Sequence, residues 1–272
     1  MTDAPETSPD APRPARFDRM GLAAFAVSVV ALIAAVAPYA SGNGFDARVR
    51  GYLLKHPEVL QEASRAFESQ QQQGVADLIS QRAAANPGLL AIDASDPAFG
   101  PADAKVTVIE FFDFRCPGCK ATAPEVLRLM QANPDVRFVF KDWPILDHGT
   151  DETSHYAARA AQAAHAQGKY LPVFRAFMAE PGLTQTGVDR ILLANGVTFP
   201  AARTVMKSPE TARHLAVIHA NAAAMQLFGT PTFFVNRRAQ GSIAPADLDA
   251  AIQQAKTGRL PPLPAPAVSS AS

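Results

Sequence analysis

Cys116 and Cys119 are the only cysteines in this chain of 272 residues. They stand three positions apart, directly after an apolar run and directly before a helical pattern. Two neighbouring thiols cannot staple a small loop-rich fold, and a bridge closing so short a ring would remove little freedom from the unfolded chain. Half of a zinc site would need two more ligands. The chain has no second cysteine pair. Among its six histidines (56, 148, 155, 165, 214 and 219) the close pair is His214 and His219, five apart in a helical stretch and so on different faces. The remaining reading is one redox-active dithiol between a strand and a helix.

The flanking residues suit that chemistry. Val106 to Phe112 reads Val-Thr-Val-Ile-Glu-Phe-Phe, the near-continuous apolar run of a strand covered on both faces. Beyond the cysteines, Val126, Leu127 and Met130 share one helical face, and Pro124 is expected to kink that helix. Pro117 fits a first helical turn, where its missing N–H costs nothing. Cys116 at a helix start would face unpaired backbone N–H groups and the positive end of the helix dipole, which lowers a thiol pKa. Arg115 and Lys120 add positive charge nearby. An exposed Cys116 would attack, and Cys119, one turn in, would resolve the mixed disulfide. Glu110 interrupts the strand, and a carboxylate there needs a partner or a task. Lys141 on a neighbouring strand is one candidate partner. Proton exchange is the alternative, since burial raises a carboxylate pKa.

Three segments carry a resemblance. Cys116-Pro-Gly-Cys-Lys-Ala-Thr-Ala-Pro124 resembles the active-site helix of the thioredoxin superfamily. Gly229-Thr-Pro-Thr-Phe-Phe-Val235 resembles its cis-proline segment leading into a strand. Val136-Arg-Phe-Val-Phe-Lys-Asp-Trp-Pro144, with a long helical stretch after it, is similar to the DsbA-like branch. Residues 45–63 resemble the helical extension of the Com1 and ScsC-like subgroup. The resemblance covers about 90–256. It implies that Cys116 attacks, that Cys119 resolves, that Glu110 relays protons to and from Cys119, and that Thr230 and a cis Pro231 seat an extended substrate strand. The dipeptide between the cysteines is Pro-Gly, where the DsbA type carries Pro-His.

The expected architecture is α/β: a thioredoxin fold with an inserted helical domain, preceded by a membrane-spanning helix and a helical N-terminal extension. Residues 1–19, with three arginines, read as a cytoplasmic tail. Residues 20–40 carry no charge and read as a transmembrane anchor or, alternatively, a signal peptide, with Ala35-Val-Ala37 as a cleavage site that Pro38 spoils. The anchor reading places the chain in a bacterial inner membrane, single-pass, with its catalytic domain in the periplasm. Residues 41–89 read as a helical extension broken at His56-Pro57, able either to pack on the catalytic domain or to self-associate. The catalytic domain is expected over 90–256, with strands at 106–112, 136–140 and 232–236 and an insertion at about 150–228, and a disordered tail over 257–272.

These features point to a thiol–disulfide oxidoreductase for protein substrates, using no cofactor and no resident metal. The competing reading is a Cu(I)-binding or copper-tolerance protein that uses the same thiolates as soft ligands. A membrane redox partner would recycle the pair, and a homo-oligomer is expected. A net charge of zero and the absence of a phosphate loop argue against nucleic acid and nucleotides.

Overall fold

The computed structural model describes residues 19–40 and 43–263. Residues 1–18 of the expected cytoplasmic tail, and 264–272 of the expected C-terminal tail, lie outside the described residues. The chain divides into two compact units, Met1–Ala66 and Phe67–Ser272.

The first unit holds α1 (Arg19–Ala40), α2 (Asn43–Lys55) and the opening turns of α3 (Pro57–Ala85). Pro57 starts α3, as a residue without an N–H can, and the break at His56 follows. Phe45, Val49, Leu53, Leu54 and Leu60 line a groove of about 300 Å³, with Phe45 and Leu54 well exposed. The expectation of a transmembrane anchor, and of a single-pass protein in the inner membrane, is corrected here. Among the described residues no helix is long and apolar enough to cross a membrane.

In the second unit a five-stranded sheet is ordered β1-β3-β2-β4-β5. Its strands are β1 (Ala98–Phe99), β2 (Thr107–Phe112), β3 (Arg137–Asp142), β4 (Thr232–Val235) and β5 (Arg238–Ala239). β2 runs parallel to β3 and antiparallel to β4. On one face lie α4 (Pro117–Ala132), α10 (Pro245–Lys256) and the inserted helices α5 (Thr153–Ala166), α6 (Tyr170–Ala179), α7 (Gln185–Ala194) and α8 (Phe199–Met206). Edge-on aromatic contacts of Phe112 and Phe114 with Phe174 and of Phe114 with Phe177, and a tilted contact of Phe140 with Phe174, fix α6 to this face. Such pairs add about 0.5–1.5 kcal/mol each beyond their buried area. On the other face lie α9 (Pro209–Met225), the turn Pro87–Leu90 and the second half of α3.

The unit boundary at 66/67 differs from the domain start expected at 90. The reason is packing. Ala76, Ile79 and Ala83 of α3 are buried beneath the sheet. Ser80 Oγ accepts from Ala239 N at 2.9 Å, and Asp77 pairs with Arg238 at 2.7 Å. At Gly241 a Cβ would sit 3.0 Å from the Gln73 backbone, so the glutamine run Gln70–Gln73 meets the chain leaving edge strand β5 through its main chain.

Candidate active site

β2 delivers the chain to the dithiol, and α4 receives it. Cys116 is the N-cap of α4 with extended backbone angles, and Pro117 occupies the first turn. The helix runs on through Pro124. Both cysteines are free thiols. Cys119, one turn in, is fully buried, and Cys116 is 7% exposed. That is less open than an attacking sulfur was expected to be, because the loop before β4 lies over it. The Thr230–Pro231 bond in that loop is cis. Cys116 Sγ donates to the Thr230 carbonyl at 3.0 Å.

The two thiols are driven in opposite directions. Hydrogen bonds from the Cys119 side chain, the Thr230 side chain, and the Cys119 and Gly118 backbone N–H groups bring the Cys116 pKa down to about 5, against an opposing effect of burial. Burial, above all, pushes the Cys119 thiol far upward, and the bond to Cys116 adds to it. Neighbouring cations are not what lowers Cys116. The Arg115 guanidinium is held by Asp151 at 2.8 Å and Asp147 at 3.4 Å. Lys120 Nζ donates to the carbonyls of Phe177 and Glu180 at 2.8 and 2.7 Å, tying α4 to the end of α6.

Glu110 sits on the face of β2 that carries Val108 and Phe112 toward α4, and it is buried. Neither carboxylate oxygen has a hydrogen-bond partner in the protein. Burial raises its pKa to about 8, with further contributions from Cys116 and Asp142. Pairing with Lys141 is overturned. The register sets Glu110 opposite Phe140 and Phe111 opposite Lys141, so Lys141 points to the other face. There its ammonium bonds Asp96 Oδ2 and the Ala91 carbonyl.

Two residues of the site were missed from the sequence. The Asp113 carboxylate accepts from Arg115 N (2.7 Å), Ile145 N (2.8 Å), Leu146 N (3.1 Å) and Ser154 Oγ (3.0 Å). It thereby fixes the loop into α4 against the chain leaving β3 and the start of α5. Its one sequence signal was an acid between two phenylalanines at a strand end. The other is Gly118. A Cβ there would lie 3.2 Å from Pro231 Cδ and 3.7 Å from Cys116 Sγ, so the bare glycine lets the proline loop close on the dithiol. Among the described residues no group of three or more His, Cys, Asp or Glu side chains could hold a metal ion.

A dithiol at a helix start beneath a cis-proline loop, on a mixed sheet with an inserted helical layer, defines a thiol–disulfide oxidoreductase of thioredoxin type. The chain belongs to the family described as DSBA-like thioredoxin domain, which matches residues 107–253. Residues 45–73 match the family described as copper resistance protein ScsC N-terminal domain. A thioredoxin-like oxidoreductase from Silicibacter pomeroyi DSS-3 is 38% identical, covering 61% of this chain and 94% of that one, with a TM-score of 0.56. BcfH of Salmonella enterica Typhimurium is 29% identical over 82% of this chain and 99% of that chain, TM-score 0.57. Proteus mirabilis ScsC in a transitional conformation shares the fold at 20% identity, covering 81% and 99%, TM-score 0.59. The Na(+)/H(+) antiporter NhaA 1 of Salinispora arenicola is 33% identical over 60% of this chain, and the chain spans 25% of that relative. The family acts by disulfide exchange, with thiols or disulfides of protein substrates as its partners.

Proposed function

We propose that this chain exchanges disulfides with protein clients through the Cys116-Pro-Gly-Cys119 pair, with Cys116 as the attacking thiolate. The observation that carries this is the opposite displacement of the two thiols: about 5 for Cys116 and far upward for Cys119. At neutral pH the first sulfur is ionised and the second holds its proton. In reduction, Cys116 thiolate attacks a client disulfide and releases one client thiolate. Glu110 first releases its own proton, and Cys119 then passes its proton to the resulting carboxylate and attacks Cys116 Sγ, releasing the second client thiolate. In oxidation a client thiolate attacks Cys116 Sγ, and Cys119 leaves as a thiolate that takes the Glu110 proton. Thr230 and Pro231 offer main chain beside the sulfur on which an extended client segment can pair.

A Cys116 pKa of about 5 lies between roughly 7 in thioredoxin and roughly 3.5 in DsbA, which supports a moderate oxidising power. The arginines at 13, 16 and 19 ahead of the uncharged stretch 20–40 support export through a leader, so that the dithiol works in the periplasm with a membrane redox partner to recycle it. The apolar groove in residues 45–60 and the family match at 45–73 support self-association through this extension. That second match also supports one alternative, Cu(I) held by the two thiolates. Competition of the reduced, metal-free protein against a Cu(I) chelator separates the two readings.

The direct experiment is trapping. Cys119→Ser should accumulate mixed disulfides with client proteins, and Cys116→Ser should accumulate none. Adducts on Cys116→Ser alone would reverse the assignment.

A further inference from the structure

Glu110 shares its side of the sheet with a second buried carboxylate. Parallel register sets Glu110 opposite Phe140 and Phe112 opposite Asp142, so Glu110 and Asp142 project to the same face, one strand across and two residues along. With strands about 4.8 Å apart and a rise of about 3.3 Å per residue, their Cα atoms lie about 8 Å apart, and both side chains are buried. Asp142 is held where Glu110 is not. Its Oδ1 accepts from Tyr170 Oη at 2.9 Å and its Oδ2 from Gln162 Nε2 at 3.2 Å. Gln162 also lines a cavity of about 510 Å³ with His165, Thr211 and His214.

We propose that Glu110 and Asp142 form one coupled acid pair sharing a proton, in which Asp142 acts as a positioning residue that keeps the proton on Glu110. This rests on the proton role given to Glu110 above. Two carboxylates buried on one face of adjacent strands cannot both ionise cheaply, and Asp142 contributes to the raised Glu110 pKa, so the pair titrates as a unit. The donors at Asp142 favour its ionised form, and Glu110 has no donor. The retained proton therefore resides on Glu110, whose charge acts on the leaving sulfur of Cys119. When Cys119 departs as a thiolate it takes that proton, leaving two buried carboxylates, and their repulsion draws a replacement proton inward from the Gln162 side. In the opposite direction the pair first releases its proton by the same side and then takes the one that leaves Cys119. The order agrees with the directions of shift. Burial raises Asp142 to about 7, opposed by the Tyr170 and Gln162 bonds, while Glu110 reaches about 8. Tyr170, pushed well upward by burial and by Asp142, remains a donor. The other titratable groups around the pair are Cys116 and Cys119 of α4, Asp113 before α4, Asp96 before β1, and His165 of α5 at the cavity.

Carboxyl carbon NMR on the reduced full chain reads the coupling. In the unaltered protein the Glu110 carboxyl should titrate near pH 8. In Asp142→Asn its midpoint should fall by about one pH unit, the scale at which two sites count as coupled, and Asp142→Glu should restore it. Tyr170→Phe removes one donor, makes Asp142 hold a proton more readily, and should move Glu110 the same way by less. This gives the same test if Asp142→Asn does not fold. A Glu110 midpoint unmoved in both variants would overturn the pairing. Glu110→Gln separates the underlying reading: the pH profile of Cys119 attack should lose its step near pH 8. If that profile is unchanged, the proton role fails, while the coupling is still judged from whether Asp142 titrates lower in the same variant.

Discussion

The two faces of β2 and β3 treat a buried acid in opposite ways. On the α9 face, Asp96 is neutralised by the Lys141 ammonium, with both side chains nearly inaccessible, and His214 Nε2 stands 3.5 Å from its second oxygen. On the α4 face, beneath the dithiol, Glu110 has no protein partner for either oxygen. The sheet thus had a cation at hand, one residue along from the strand position opposite Glu110, and the pleat turned it away. A buried ion pair holds structure and offers no proton near neutrality. An unpaired carboxylate costs stability and remains able to exchange one. The unbalanced acid is the one that lies under the sulfur needing a proton.

Breaking the balanced face should give the largest change in stability. Lys141→Met leaves Asp96 buried and uncompensated, and should cost about 3–5 kcal/mol in denaturant unfolding, with little effect on the ionisation of Cys116. Loss of exchange chemistry without loss of stability would break the contrast between the faces. The unbalanced face should respond with the opposite sign. Glu110→Gln should stabilise the protein by roughly 2 kcal/mol near pH 8, the remainder being the cost of a buried amide. The linkage fixes the pH range. The folded state keeps a proton up to about pH 8 that the unfolded state releases near 4.5. The native carboxyl therefore leaves stability intact below 4.5 and erodes it as pH rises through that range. The gain from Gln should vanish below pH 4.5, and exchange should slow in the same variant. The smallest effect is expected at Gly118→Ala. Its Cβ would press on Pro231 at 3.2 Å, and a loop shift of a few tenths of an ångström should cost roughly 1 kcal/mol and change exchange a few-fold. No change in rate would show that the close approach is incidental.

The dithiol was legible in the sequence because strand, turn and helix are contiguous there, and Cys116 at the α4 N-cap needs only local geometry. Glu110 was legible as one charge within an apolar run. Its partner was not. Pairing with Lys141 looked natural until the register fixed which residues share a face, and a one-residue offset reverses the side chain. Asp142 escaped notice because β3 was expected to end at Phe140, and it runs two residues further, to Asp142. Asp113 reads as a turn residue, since three of its four donors come from residues more than thirty positions away. The packing of Gln72 and Gln73 was not legible because a sequence shows side chains, whereas the contact at Gly241 is made by the main chain.

The measurement that bears most directly on this account is alkylation of the reduced protein with a limiting thiol reagent at about pH 6, followed by peptide mapping. With Cys116 ionising near 5 and Cys119 held protonated by burial, the label should fall on Cys116 alone, and its rate should halve near pH 5 as the thiolate takes up a proton. Label shared between both cysteines, or a Cys116 midpoint near the free-thiol value of about 8.5, would contradict the division of roles on which the mechanism rests.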